Sequence, residues 1–285
     1  MHKYAHLRQE AINSYGMKKA KVILVSLLLM LAGLAMLFFS AMMIRSFRVE
    51  KEQSKLSSTN FQISYQGILK QEAAAILKSL EENYHPIRTA LHDPAHEPIH
   101  VFIHATQKQF NTATGLINST ANGTSRGPNE FHLHYQTWFN SIFPANMPKV
   151  AVHEFTHCVQ LNILIQDAIA KSNDPVDAAF DKAFEKQFSE NYPQWYWEAL
   201  CDYEAGIVNK VSVCYGMKGN PTLESLNNSN QIYNVGYAII DYIVSKWGKE
   251  KLPELIRTYG DLENVLGVSE TEFENGWYQF VSENY

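Results

Sequence analysis

Cysteine is scarce in this chain. The 285 residues include three, Cys158, Cys201 and Cys214, too few and too odd in number for a disulfide scaffold. An excess of positive charge is also missing: 24 Lys and Arg against 29 Asp and Glu leave a net charge of -5. Without a basic footprint, nucleic acid is not an expected partner. No period of about 20 to 50 residues repeats, so solenoid and propeller architectures drop out. Hydrophobic residues make up 46% and charged residues 19%, which excludes disordered and fibrous chains. The length suits one large domain or two small ones.

One stretch lacks charge altogether. Val22 to Ile44 reads VILVSLLLMLAGLAMLFFSAMMI, with only two serines as polar breaks. As a helix it would be roughly 34 Å long, enough to cross a bilayer core of about 30 Å. A buried core helix of this length would carry a polar stripe. A cleaved signal normally has a shorter apolar region, about 7 to 15 residues, ending in a small-x-small site. Here the run continues to Met42-Met43-Ile44 with no A-x-A and no lipobox cysteine. The expectation is an uncleaved, single-pass plasma-membrane anchor over residues 22–44. Lys18, Lys19 and Lys21 precede it, and Arg45 and Arg48 follow. That shallow bias puts residues 1–21 in the cytoplasm and the large C-terminal part outside. Met17-Lys-Lys-Ala-Lys would make a natural start for such an anchor.

Residues 45–60, charged and serine-rich towards their end, read as a linker, and the globular domain runs over 61–285. Phe61, Ile63 and Tyr65 alternate with polar residues, as do Ile99, Val101 and Ile103, so both stretches predict strands. Gln71 to His85 has helical spacing. Asn111 to Asn129, rich in Gly, Asn, Ser and Thr, predicts a loop. EFHLHYQ, from Glu130, predicts a strand with His132 and His134 on a wet face. Helices follow: one opened by Pro148, one by Asp174-Pro175, one by Pro193 and ended by Gly206, one over Ile232 to Trp247. Ser269 and Glu272 form a capping box for the last. Strands then helices predict an α+β fold, a mixed sheet in the N-terminal half beside a mainly helical C-terminal half, with one transmembrane helix in front.

The stretch H-E-F-T-H puts His153 and His157 one turn apart on the same helix face. Zinc takes imidazole nitrogens at about 2.0 to 2.1 Å in a tetrahedral arrangement, and a catalytic site needs a third protein ligand and an open fourth position. Glu154, beside the first histidine, can serve as general base to a water acidified by the metal. The competing reading is a solvated helix face that happens to be polar. W-E-A-L-C-D-Y-E lowers it by supplying Glu198 as third ligand and, four residues on, Asp202. Asp202 can accept the second ring N–H of a ligand histidine and so fix its tautomer.

These two stretches resemble the gluzincin metallopeptidases, the thermolysin-like and aminopeptidase-N-like group, whose pattern is H-E-x-x-H and later E-G-x-A-x-Y. YNVGYAIIDYIVSKWGKEKL is similar to a downstream segment of the aminopeptidase-like branch, in which the first tyrosine hydrogen-bonds the tetrahedral oxyanion. By that resemblance the role falls on Tyr233, and the fold is zincin-like. The implied function is a membrane-anchored zinc peptidase acting on peptide or protein substrates, with Zn2+ on His153, His157 and Glu198 and with Glu154 and Tyr233 catalytic. The alternative is a metal-binding sensor or interaction domain without turnover, against which an intact Glu154 argues. An intramembrane protease is disfavoured because H-E-F-T-H lies outside the apolar span. The sequence departs from the family in three places. Ala199 replaces a glycine. About forty residues separate His157 from Glu198, about twice the aminopeptidase spacing. No G-x-M-E-N stretch precedes the motif, which argues against a true aminopeptidase. The family's substrate-pairing edge strand would by position be EFHLHYQ. Cys158 and Cys201 could be disulfide-linked or be buried free thiols.

Overall fold

The computed structural model of the protein describes residues 2–48, 50–94, 97–135, 145–172, 178–191 and 193–285. The chain divides into two compact units, Met1–Val49 and Glu50–Tyr285. The first is one helix, α1 (His2–Arg48). Its stretch Ile23–Ile44 is long and apolar enough to cross a membrane, and its large apolar side chains, such as Leu29 and Leu37, are exposed.

The second unit is α+β. Its N-terminal half holds β1 (Ser54–Ser57), β2 (Phe61–Tyr65), α2 (Lys70–Ala90), β3 (Ile99–His104), α3 (Gln107–Thr114), β4 (Gly123–Ser125) and β5 (Glu130–His134). Helices follow: α4 (Met147–Lys171), α5 (Ala178–Asn191), α6 (Gln194–Glu204), α7 (Lys210–Gly216), α8 (Leu223–Leu226), α9 (Ile232–Trp247), α10 (Leu252–Arg257), α11 (Leu262–Leu266) and α12 (Glu270–Asn284). The sheet order is β1-β2-β3-β5-β4. The inner pairs β2–β3 and β3–β5 are parallel, and both outer pairs are antiparallel. Phe61, Ile63, Val101, Phe131 and Leu133 are fully buried on the face that α2 and α4 cover. This is the alternation read from the sequence, with its apolar side turned to the helices.

Four expectations change. Residues 45–60 are largely structured: α1 runs to Arg48, Glu50 pairs its backbone with Gly67 and Ile68, and Ser54–Ser57 joins the sheet. Ladder hydrogen bonds from β2 supply what a polar composition does not advertise. The expected loop 111–129 contains the end of α3 and all of β4. Thr106 caps α3 by accepting from the Gln109 amide, and Gly115 ends it in a left-handed conformation. EFHLHYQ does not supply the edge strand, because β4 pairs outside β5 and takes the edge itself. His132 and His134 are not a wet face. They are 6% and 3% exposed, because α3 covers that side of the sheet. His132 shares hydrogen bonds at 2.9 Å with His104 and with Glu130. Burial, with the neighbouring histidines, pulls His104 down to about 4. The helix start expected at Asp174-Pro175 lies outside the described residues. α9 and the Ser269–Glu272 capping box fall where the sequence puts them.

Candidate metal centre and cleft

Asn146 caps α4 by accepting from the Lys149 amide, with Pro148 in the first turn where its missing N–H costs nothing. The helix then passes between the sheet and α6, and every residue from Ala151 to Gln160 is buried. It is apolar towards the sheet. Towards α6 it presents Val150, His153 and His157, spaced by one and two turns. α6 answers with Glu198 and Asp202, also one turn apart.

The two histidine Nε2 atoms converge on one carboxylate oxygen. Glu198 Oε2 is 3.2 Å from His153 Nε2 and 3.7 Å from His157 Nε2. The edge of a tetrahedron with bonds of about 2.05 Å is about 3.3 Å, so the three donors have the spacing of a zinc ligand set. The far nitrogens are also engaged. His153 Nδ1 lies 2.9 Å from Asp202 Oδ1, and His157 Nδ1 lies 3.1 Å from Gln160 Oε1. Each ring can therefore donate Nδ1–H backwards and turn a lone pair towards Glu198.

Tyr233 reaches the same place from α9. Helices α6 and α9 pack closely, and a Cβ built on Gly236 would come within 3.0 Å of Ala199 Cα. Only glycine permits that approach, and the alanine that departs from the family pattern sits at this crossing. One turn before Gly236, the Tyr233 phenol hydrogen-bonds Glu198. Tyr233 is half exposed, so its hydroxyl faces both the carboxylate and open space. The cleft has a volume of about 750 Å³ and is walled by β4 and the loop before it, α4, α6 and the start of α9.

Three carboxylates and two imidazoles are crowded here with little water. Burial works against a charged His153, but Asp202, Glu198 and the charge of Glu154 overcome it and lift the imidazole to about 10. Burial would raise Glu198 too, yet the two histidines hold it far below the usual carboxylate range. Glu154 is raised, mainly by burial, with the histidines pulling the other way. Burial pushes the Tyr233 phenol up, and the Glu198 and Asp202 charges add to the shift. A cluster that negative holds a proton on histidine, and a cation placed among the Nε2 atoms would take over that compensation.

A second donor set overlaps the first. One donor atom each of His153, His157 and Cys201 lie within 4.8 Å of one another, so this buried group can also hold a metal. Its sulfur, however, is on the far side of His157, 3.1 Å from Nδ1 and 3.3 Å from Gln160 Oε1. Burial pushes the Cys201 thiol well up, which keeps it protonated, and no cleft opens there. Cys158 and Cys201 are both free.

Sequence reasoning missed four neighbours. Gln160 ties the His157 ring to the Trp197 carbonyl through its Nε2 at 3.3 Å. Its position three residues after His157 was a usable signal. Trp197 stacks on His157 with ring centres 4.6 Å apart, and Cys201 backs the same ring. Gly123 of β4 lies against Glu154: a Cβ there would sit 2.4 Å from Oε1 and 2.6 Å from Cγ. No local pattern announces that contact.

The sequence matches no protein-family profile and no curated protein. A solved structure of an aminopeptidase N family protein from Idiomarina loihiensis is similar over 79% of this chain and 46% of its own, at 10% identity and a TM-score of 0.40. This chain thus spans less than half the length of that protein, and the likeness by itself assigns it no activity.

Proposed function

We propose that this protein is a zinc-dependent peptidase anchored in the membrane by residues 22–44, with its globular unit outside the cytoplasm. The observation that carries the reading is the convergence of His153 Nε2 and His157 Nε2 on Glu198 Oε2, beside a buried Glu154 and in an open cleft. Those three side chains would hold the metal, and this set is preferred to the one containing Cys201 because only it faces space for a substrate. When bound, zinc supplies Lewis acidity and brings a water's pKa towards about 7.

The chain's own groups do the rest. Glu154 takes a proton from the attacking water and later delivers it to the leaving amide nitrogen. Its raised pKa suits both halves of that exchange. Water's oxygen ends on the carbonyl carbon, and the C–N bond breaks to give a carboxyl and an amine. Tyr233 donates its phenolic hydrogen to the oxyanion, a contact that strengthens only as charge develops. Asp202 and Gln160 act as positioning residues by holding the two imidazoles in the tautomer with Nε2 free.

The test uses the full chain in detergent. Wild type should carry about one zinc per chain, lost in His157→Ala, and should cleave members of a peptide library that Glu154→Gln leaves intact. A folded wild type that takes up no zinc from buffer would end this reading.

A further inference from the structure

The walls of the cleft say what kind of substrate fits, and the inference rests on the peptidase reading above. Leu116 and Ala121 line the side near β4, Val150 lies on α4, Trp197 on α6 and Ile207 beyond it. Trp197 lies flat on His157 and is braced edge-on by Phe188 of α5 at 5.0 Å. A broad apolar surface is thereby fixed beside the histidine pair. The character continues outwards. Ile117, next to Leu116, is 89% exposed, and Val208, next to Ile207, is 43% exposed. Large apolar side chains held in water on both rims of a cleft mark a surface that another chain covers.

The ionic groups agree. Among the described lining residues the acids are Glu154, Glu198 and Asp202, and all three belong to the histidine cluster. No Lys or Arg is among them, and residues 136–144 carry no charged side chain. Lys149 and Arg126 adjoin lining residues in sequence, but their charged ends are given to the carbonyls of Gly206 and Thr114. Capture of a peptide's terminal carboxylate needs a cation in the cleft, and capture of its ammonium needs an anion not already engaged. The described walls offer neither.

We infer that the cleft takes an internal, uncharged, apolar stretch of polypeptide, so that cleavage is endoproteolytic and indifferent to chain ends. The occupant of the apolar rims is the same substrate chain on either side of the scissile bond.

The test is an internally quenched apolar peptide made with free ends, N-acetylated, C-amidated, and with both modifications. Cleavage is read with the full-length zinc-loaded protein, and binding with its Glu154→Gln variant. Blocking the ends should change kcat/KM and Kd by no more than about twofold, whereas a glutamate beside the scissile bond should cost about tenfold or more. Val208→Asp and Ile117→Asp should weaken binding. A loss of about tenfold on blocking either end would overturn the inference, as would failure of every form to bind. Binding of the fully blocked peptide without cleavage by wild type would keep the inference and remove the hydrolase reading.

Discussion

At the scale of single residues, Gly123 and Glu154 make the sharpest prediction. Gly123 has an ordinary negative φ, so alanine is acceptable to its backbone. The obstacle is the Glu154 carboxylate, which is buried and has no free direction to retreat. Gly123→Ala should cost about 1–3 kcal/mol of stability by overpacking. Most of that cost should vanish in a Glu154→Ala background, measured by urea midpoints in a double-mutant cycle. Additive effects would mean that β4 itself, not the carboxylate, resists the methyl. His153 makes the second. Its pKa of about 10 lies above the ordinary imidazole value of 6.5, so the metal-free fold gains stability from that proton. The gain is complete below about 6.5 and is lost as pH rises through about 10. Zinc needs the neutral ring, so zinc binding near pH 8 should release about one proton. Calorimetry in buffers of different ionisation enthalpy counts it, and Asp202→Asn should reduce the count.

At the scale of elements, α4 is held against the end of α2 by a buried polar link. Asn162 Nδ2 donates to Asp93 Oδ1 at 2.6 Å, and Arg88 lies 3.0 Å from the other oxygen. Burial nevertheless wins, and Asp93 is raised to about 6 from 3.8. An acid raised on folding binds its proton more tightly in the folded state. Its contribution therefore falls as pH rises from about 4 to about 6 and is flat outside that window. The stability gap between wild type and Asp93→Asn should change only in that range. A gap that is constant with pH would place the Asp93 pKa at its ordinary value. Long elements were legible beforehand: α9 because its apolar period ends at Gly248, and α12 because of its capping box. The candidate site was legible because its donors are all one helical turn apart. Short elements were not. β4 is Gly-Thr-Ser and has no apolar alternation, so only its pairing with β5 makes it a strand. β1, Ser-Lys-Leu-Ser, is in the same position beside β2. The two histidines of β5 looked wet because nothing local reveals that α3 lies over them. Tertiary cover decides such positions, and a pattern of period two cannot show which face a helix will take.

At the scale of the whole molecule, the open question is which side of the membrane carries the globular unit. The charges around residues 22–44 are nearly balanced and bias the answer only weakly. The chain contains its own reporter. Cys158 and Cys201 are buried, with thiols pushed up by burial, whereas Cys214 on α7 is exposed. Thiolate access controls maleimide reactivity, so one cysteine should react in the folded protein. In intact cells, a membrane-impermeant maleimide should label Cys214 at one site per chain, and Cys214→Ser should abolish the signal. Labelling that appears only after the cells are opened would put the unit in the cytoplasm and remove the proposed orientation, while leaving the metal centre untouched. Two sites labelled in the folded protein would instead mean that the α4–α6 interface opens far enough to expose the thiol behind His157. The close packing of that interface, with Gln160 bonded across it, argues for one.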